Sequence, residues 1–247
     1  MADTIRSQWV EVRNGDLAID AYLAQPLGNQ TYPAIIVYQE IFGVNAHIRD
    51  VTERIARQGY IAIAPALYQR LAPQFETGYT AEAIKIGRDY KAQTKASELL
   101  SDTEATIAYL KTLPAFGQAI GTIGFCFGGH IAYLTATLPE IKAAASFYGA
   151  GIVTLCPGEK QPTITRTSQI KGTLYAFFGM QDASIPAAEV DRIEAELTQH
   201  HIAHKIFRYP DADHGFFCNE RGSFNPEAAA DAWQQVMQLF EMALSPG

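Results

Sequence analysis

Cysteine is scarce in this chain. Only Cys126, Cys156 and Cys218 occur in 247 residues, too few and too widely spaced for a disulfide framework or a zinc site. That usage points to a reducing, cytoplasmic setting, where a free thiol can do chemistry. No apolar run reaches the ~20 residues needed to cross a bilayer. The opening stretch MADTIRSQWVEV lacks the apolar centre of a secretion signal. Basic clusters are missing too, and the net charge of −7 argues against a nucleic-acid partner. Nothing suggests a metal or another cofactor. There is no internal repeat, low-complexity tract or linker, so one domain over residues 1–247 is expected.

What the chain does have is apolar material, 48% of its residues, enough to bury one large core. Residues 9–12 and 17–24 flank the turn Arg13-Asn14-Gly15-Asp16 and read as an opening hairpin. The run 34–38 (AIIVY) is compact and β-branched, as in a strand buried on both faces. Helical spacing follows over 46–58, then a strand over 60–64 stopped by Pro65. Residues 68–94 form a long polar connection, with helix expected over 80–93. A helix over 97–113 closes at Pro114. Further strands are expected at 143–148, 173–178 and 204–209, and further helices at 187–200 and 226–244. Strands alternating with helices imply an α/β fold, a mostly parallel sheet covered by helices on both faces.

The most informative stretch is 120–130, IGTIGFCFGGH. A short apolar strand runs into Gly124-Phe125-Cys126-Phe127-Gly128, and an amphipathic run over 129–138 follows. G-x-C-x-G at a strand-to-helix junction is the nucleophile-elbow pattern with Cys in place of Ser. The two glycines let strand and helix pass without a clash, and the helix start favours a thiolate. The competing reading is a buried structural cysteine in a glycine-rich loop.

A thiol nucleophile needs a base, and the base needs an orienting group. In this architecture the acid and then the His follow the nucleophile. Asp182 lies just after the apolar run 173–178, and His214 lies in a loop after 204–209. Both fall at the strand ends where open α/β sheets bind ligands. Asp211 and Asp213 are competitors, but they sit too near His214 in sequence. His47, His130, His200, His201 and His204 read as structural or exposed. For an oxyanion, the expected donors are the N–H of Phe127 and one from the loop after 34–38, at Glu40-Ile41.

Taken together, Gln39-Glu-Ile-Phe-Gly-Val-Asn45, Pro65-Ala-Leu-Tyr68, Gly124-Phe-Cys-Phe-Gly-Gly129, Gly179-Met-Gln-Asp182 and His214-Gly-Phe216 resemble the dienelactone hydrolase (carboxymethylenebutenolidase) family of α/β-hydrolases. The likeness runs from about Trp9 to the last helix. It implies a Cys126, His214 and Asp182 triad acting on an ester or lactone. It also implies that Glu40 contacts the resting thiol and takes part in switching it to the thiolate. In the family, arginines hold a substrate carboxylate, which would fall here on Arg88, beside Tyr90, and on Arg221. The position four after His214 is instead Cys218. A small-molecule substrate, a monomer, and no membrane or nucleic-acid partner complete the expectation. The alternatives are a broader carboxylesterase or thioesterase, a non-catalytic binding module, and a thiol-redox protein using Cys156 or Cys218 as resolving partner.

Overall fold

The computed structural model describes residues 4–245. Residues 1–3 of the opening stretch and the last two residues of the expected 1–247 domain lie outside them.

The chain opens with β1 (Ile5–Asn14) and β2 (Leu17–Pro26), an antiparallel hairpin turning at Gly15 with φ +59°. Then come β3 (Tyr32–Tyr38), α1 (Ala46–Arg57), β4 (Ile61–Pro65), α2 (Ala81–Gln93) and α3 (Ala96–Lys111). β5 (Phe116–Phe125), α4 (Phe127–Thr135) and β6 (Ile141–Phe147) form the centre. A 3-10 helix (Thr163–Gln169) precedes β7 (Thr173–Gly179), α5 (Ala187–Gln199), β8 (His204–Tyr209) and α6 (Pro226–Leu244).

One sheet holds all eight strands in the order β1-β2-β4-β3-β5-β6-β7-β8. β2 runs antiparallel to β1 and β4, and every pairing from β4 to β8 is parallel. The apolar run of β3 is buried throughout, Ala34 to Tyr38 at 0% exposure, because helices cover both faces. Parallel pairing sends the chain out of β3, β5, β6, β7 and β8 at one common edge, and the candidate site lies there.

The structure corrects the sequence reading in several places. The helix after the elbow begins at Phe127, not Gly129, and ends at Thr135. It is not amphipathic, since all nine of its residues are buried. It packs on β3, β5 and β6 on one side and on α3 and the 3-10 helix on the other, which leaves no face for water. The helix expected over 97–113 ends at Lys111, since Leu113, preceding Pro114, is disfavoured in helical conformation. Pro65 lies inside β4, as its last residue, rather than beyond it. β5 begins four residues before Ile120, and the 3-10 helix had no sequence signal. No helix among the described residues is long and apolar enough to cross a membrane.

Candidate active site

Cys126 sits at the turn between β5 and α4 with φ +56° and ψ −114°, a conformation costly for any residue but glycine. The turn is held because its surroundings leave no alternative. A Cβ on Gly124 would stand 1.9 Å from the Gly128 carbonyl oxygen. One on Gly128 would stand 2.3 Å from the Tyr38 oxygen, and one on Gly129 2.2 Å from the Phe147 oxygen. Strand, helix and both neighbouring strands thus meet through glycine. The Cys126 N–H donates to the Phe147 carbonyl at 3.0 Å, and the residue is half-buried at the edge of the sheet.

Asp182 and His214 are brought to the same edge by adjacent strands. β7 and β8 end in register at Gly179 and Tyr209, and a Cβ on Gly179 would meet the Ala212 oxygen at 2.4 Å. The two loops therefore pack against each other. His214 Nδ1 is 2.6 Å from Asp182 Oδ2. Asp182 Oδ1 accepts from the Ser184 N–H at 2.8 Å and from its hydroxyl at 2.6 Å, which fixes the carboxylate plane. Asp213 bonds only the His214 backbone N–H, and Asp211 is exposed, so neither competes for the ring. With Nδ1 engaged, Nε2 is the ring nitrogen left for the sulfur, and the imidazole lies near enough for each group to shift the other's titration.

The electrostatics follow from that chain of contacts. Burial works to raise the Cys126 thiol, but the charge and hydrogen bond of His214, aided by Lys91, outweigh it and bring it down. Burial likewise works to lower His214, and the charge of Cys126 with the Asp182 hydrogen bond reverses it, so the imidazole titrates well above its usual range. Asp182, pushed up by burial, is held below its ordinary value by His214 and Ser184. Both shifts run in the direction that favours a thiolate–imidazolium pair over a neutral one.

Glu40 is buried at 1% exposure rather than solvated. Its Oε1 accepts from Arg221 Nη1 at 2.8 Å, and its Oε2 has no partner among the described residues. Burial raises its pKa, and the nearby Arg221 and His214 charges oppose that rise. Arg221 packs onto Gly215, where a Cβ would lie 2.3 Å from its Nη1. The rest of the 39–45 loop is scaffolding. Gln39 Oε1 accepts from the Leu67 N–H, Asn45 caps α1, and Gly43 at φ +81° would drive a Cβ to 2.0 Å from the Phe75 oxygen. Neither the Ile41 nor the Phe127 N–H has a hydrogen-bond acceptor among the described residues, so both are free to serve an oxyanion.

Helix α2 departs from expectation. Ala83 and Gly87 face the protein, and a Cβ on Gly87 would come within 2.3 Å of the Ile41 oxygen. Lys91, four residues after Gly87, lies on that same stripe. Its Nζ is 5.6 Å from the centroid of the Phe127 ring, and its charge acts on Cys126. Arg88 is turned about 100° away, and it is exposed, with no hydrogen bond or ion pair among the described residues. The structure therefore brings Lys91, not Arg88, towards Cys126. Tyr90 packs on Tyr68 (5.6 Å) and Phe75 (4.9 Å), and Tyr68 in turn stacks on Phe127 (6.2 Å). Tyr90 thus supports an aromatic wall beside the nucleophile.

Sequence reasoning missed Lys91 and also Tyr148. Tyr148 follows β6 at φ +36°, fully buried, with its hydroxyl unpartnered and its ring 5.2 Å from His214. Burial and the Glu40 charge push its pKa well up, so it stays a neutral donor. The Ala83–Gly87–Lys91 spacing was a readable signal for the lysine; nothing in sequence marks Tyr148. His130 is structural, with its ring bonded to the Ala150 oxygen and the Thr163 hydroxyl. All three cysteines are free thiols, and Cys218 lies beside the Tyr79 hydroxyl at 3.3 Å. No group of His, Cys, Asp and Glu with metal-site geometry occurs among the described residues.

Comparison with known proteins gives a consistent set of likenesses. The sequence pattern of the dienelactone hydrolase family matches residues 19–244. A Synechocystis protein provisionally named a carboxymethylenebutenolidase is 59% identical over 99% of this chain and 100% of its own. An Escherichia coli protein of the same provisional name is 33% identical over 90% of this chain and 81% of its own. Among solved structures, a provisionally named dienelactone hydrolase from Klebsiella pneumoniae superposes with a TM-score of 0.85 at 30% identity. It covers 96% of this chain and 99% of that one.

Proposed function

The chain belongs to the dienelactone hydrolase family of α/β-hydrolases, and from that premise we propose that it cleaves a carboxylic ester or lactone of dienelactone type through Cys126, His214 and Asp182. The observation that carries this reading is the 2.6 Å Asp182–His214 hydrogen bond set beside Cys126 on its strained turn, with thiol and imidazole each shifting the other's titration.

In this mechanism the Cys126 thiolate attacks the substrate carbonyl, and the Ile41 and Phe127 N–H groups hold the developing oxyanion. Collapse expels the enolate or alkoxide, the His214 imidazolium gives its Nε2 proton to the departing product, and a thioester on Cys126 is left beside a neutral imidazole. An enolate departs with little need of a proton, which suits a thiolate nucleophile. His214 Nε2 then takes a proton from water, the hydroxide adds to the thioester, and the acid leaves as the sulfur is freed. Asp182 fixes the imidazole tautomer and supports its positive charge. Glu40, buried beside the pair with one free oxygen, is placed to favour protonation of the thiol when Arg221 does not answer its charge.

A broader carboxylesterase is the second reading. It is favoured by the two arginines expected to hold a substrate carboxylate, since Arg88 faces water and Arg221 is already paired with Glu40. The test is hydrolysis of cis- and trans-dienelactone, followed by ultraviolet absorbance, beside p-nitrophenyl acetate with Cys126→Ala as blank. Fast Cys126-dependent loss of dienelactone supports the first reading, and turnover of the aryl ester alone supports the second. No turnover of either overturns both.

A further inference from the structure

A cavity of about 650 Å³ lies away from Cys126. It lies between the β1–β2 hairpin and the chain after β4, with Trp9, Asp20 and Tyr22 on one side and Gln74, Phe75 and Glu76 on the other. None of Cys126, Asp182, His214 or Glu40 lines it. Its volume falls in the range of sites for small organic ligands.

We propose that this cavity binds a small organic cation, an alkyl or quaternary ammonium, between the aromatic walls and the Asp20 carboxylate. Trp9 and Tyr22 are cross-strand partners, and their rings meet edge to face at 5.4 Å. Trp9 is 51% exposed, so its ring is open to a ligand entering the cavity. The Tyr22 hydroxyl donates to Glu53 at 2.6 Å, which fixes its ring. Asp20, two residues before Tyr22 on β2, projects from the same face. It makes no ion pair among the described residues, and its only side-chain bond is a long one, 3.5 Å, from Gln69.

The charges around the cavity favour a cation. Arg49 also lines it, but its guanidinium is tied to the Glu76 carboxylate and to the Val44 carbonyl at 2.7 Å. Arg49 and Glu76 therefore cancel, and Asp20 is the charge left unanswered. Aromatic faces attract cations by about 0.5–2 kcal/mol, most strongly at Trp. An ammonium carrying methyl groups would satisfy both the carboxylate and the rings. A neutral ligand of the same shape would satisfy only the rings.

The test uses Trp233→Phe, which leaves Trp9 as the single indole of a chain with two tryptophans. Its fluorescence is titrated with choline and with 3,3-dimethylbutan-1-ol, the uncharged isostere, at constant ionic strength. Saturation by choline at least about ten-fold tighter than by the alcohol is expected. Asp20→Asn, which keeps the Gln69 contact, should abolish that difference. Trp9→Ala, at an exposed position, should weaken choline binding when read by calorimetry. Equal binding of choline and alcohol would overturn the proposal, as would no saturation by either or unchanged choline affinity in Asp20→Asn. So would a sedimentation run in which a second copy of the chain covers Trp9.

Discussion

Replacing Arg221 by Met would leave the Glu40 carboxylate at 1% side-chain exposure with no cation to answer it. Removing one partner of a buried ion pair costs about 3–5 kcal/mol, because the remaining charge stays desolvated. Arg221 is itself 18% exposed, so the low end, about 3 kcal/mol, applies to this pair. At roughly 2–4 °C per kcal/mol for a chain of this length, the melting temperature should fall by about 6–12 °C. The deficit should also depend on pH. Burial raises the folded pKa of Glu40, and Arg221 is the foremost group holding it back, so its loss sends the pKa higher. A raised carboxyl contributes stability that is present below its unfolded pKa and lost as pH rises through the folded one. The variant should therefore lie nearer the wild type at about pH 5 than at about pH 8. Glu40→Gln combined with Arg221→Met removes the stranded charge, and should recover most of the loss and flatten its pH dependence. Melts of the three proteins by circular dichroism decide it. A double variant no more stable than the single one, or a deficit independent of pH, would refute the reasoning.

Three further outcomes follow from the site. Asp182→Asn should keep the fold but lower kcat for the ester on the order of 10³-fold or more, because the amide supports the wrong imidazole tautomer; steady-state kinetics beside a melt checks it. Lys91→Met should move the pH midpoint of Cys126 alkylation by iodoacetamide upward, with Lys91→Arg restoring it and high salt shrinking the difference. An unchanged midpoint would remove Lys91 from the electrostatics of the thiol. Gly128→Ala should cost about 3 kcal/mol or more, or prevent folding, since its Cβ would stand 2.3 Å from the Tyr38 carbonyl oxygen. A melt within a degree or two of wild type would contradict the close approach.

Much of the architecture was legible because each parallel strand is a short apolar run bounded by a turn or a helical period. β7 and β8 are read almost residue for residue. What failed shares one cause, the difference between pattern and environment. Residues 129–138 alternate enough to suggest a half-exposed helix, yet α4 is enclosed on all sides, and a helix without a wet face has no amphipathic signature. Arg88 is what the resemblance implies, and no motif marks Lys91. The helical phase that Gly87 sets, by packing under Ile41, decides which of the two cations faces the thiol. Glu40 carried a motif but no hint of burial, since burial belongs to the Arg221 and Tyr148 that close over it from distant segments. Tyr148 was invisible because its strain is a property of backbone angles.

The arrangement also explains why the site sits where structural cost is concentrated. Cys126 and Tyr148 are non-glycine residues at positive φ, on consecutive strand ends, and the Cys126 amide is fixed to Phe147 at the end of β6. Positive φ at these positions costs on the order of 1–3 kcal/mol each, and persists only where the surroundings leave no relaxed alternative. The surroundings here are β3, β5 and β6, whose backbones approach through Gly124, Gly128 and Gly129 so closely that no side chain would fit. Relaxing either turn would pull on the centre of the sheet. Cys126 and the start of α4 are thus held in place by the fold itself, and the cost is met during folding. Glu40 is the exception within that rigid frame. Its unpartnered Oε2, raised pKa and single bond to Arg221 give it two ways to settle its charge, by ion pair or by proton. A buried carboxylate with two such options is the component best placed to let the site distinguish an empty pocket from an occupied one.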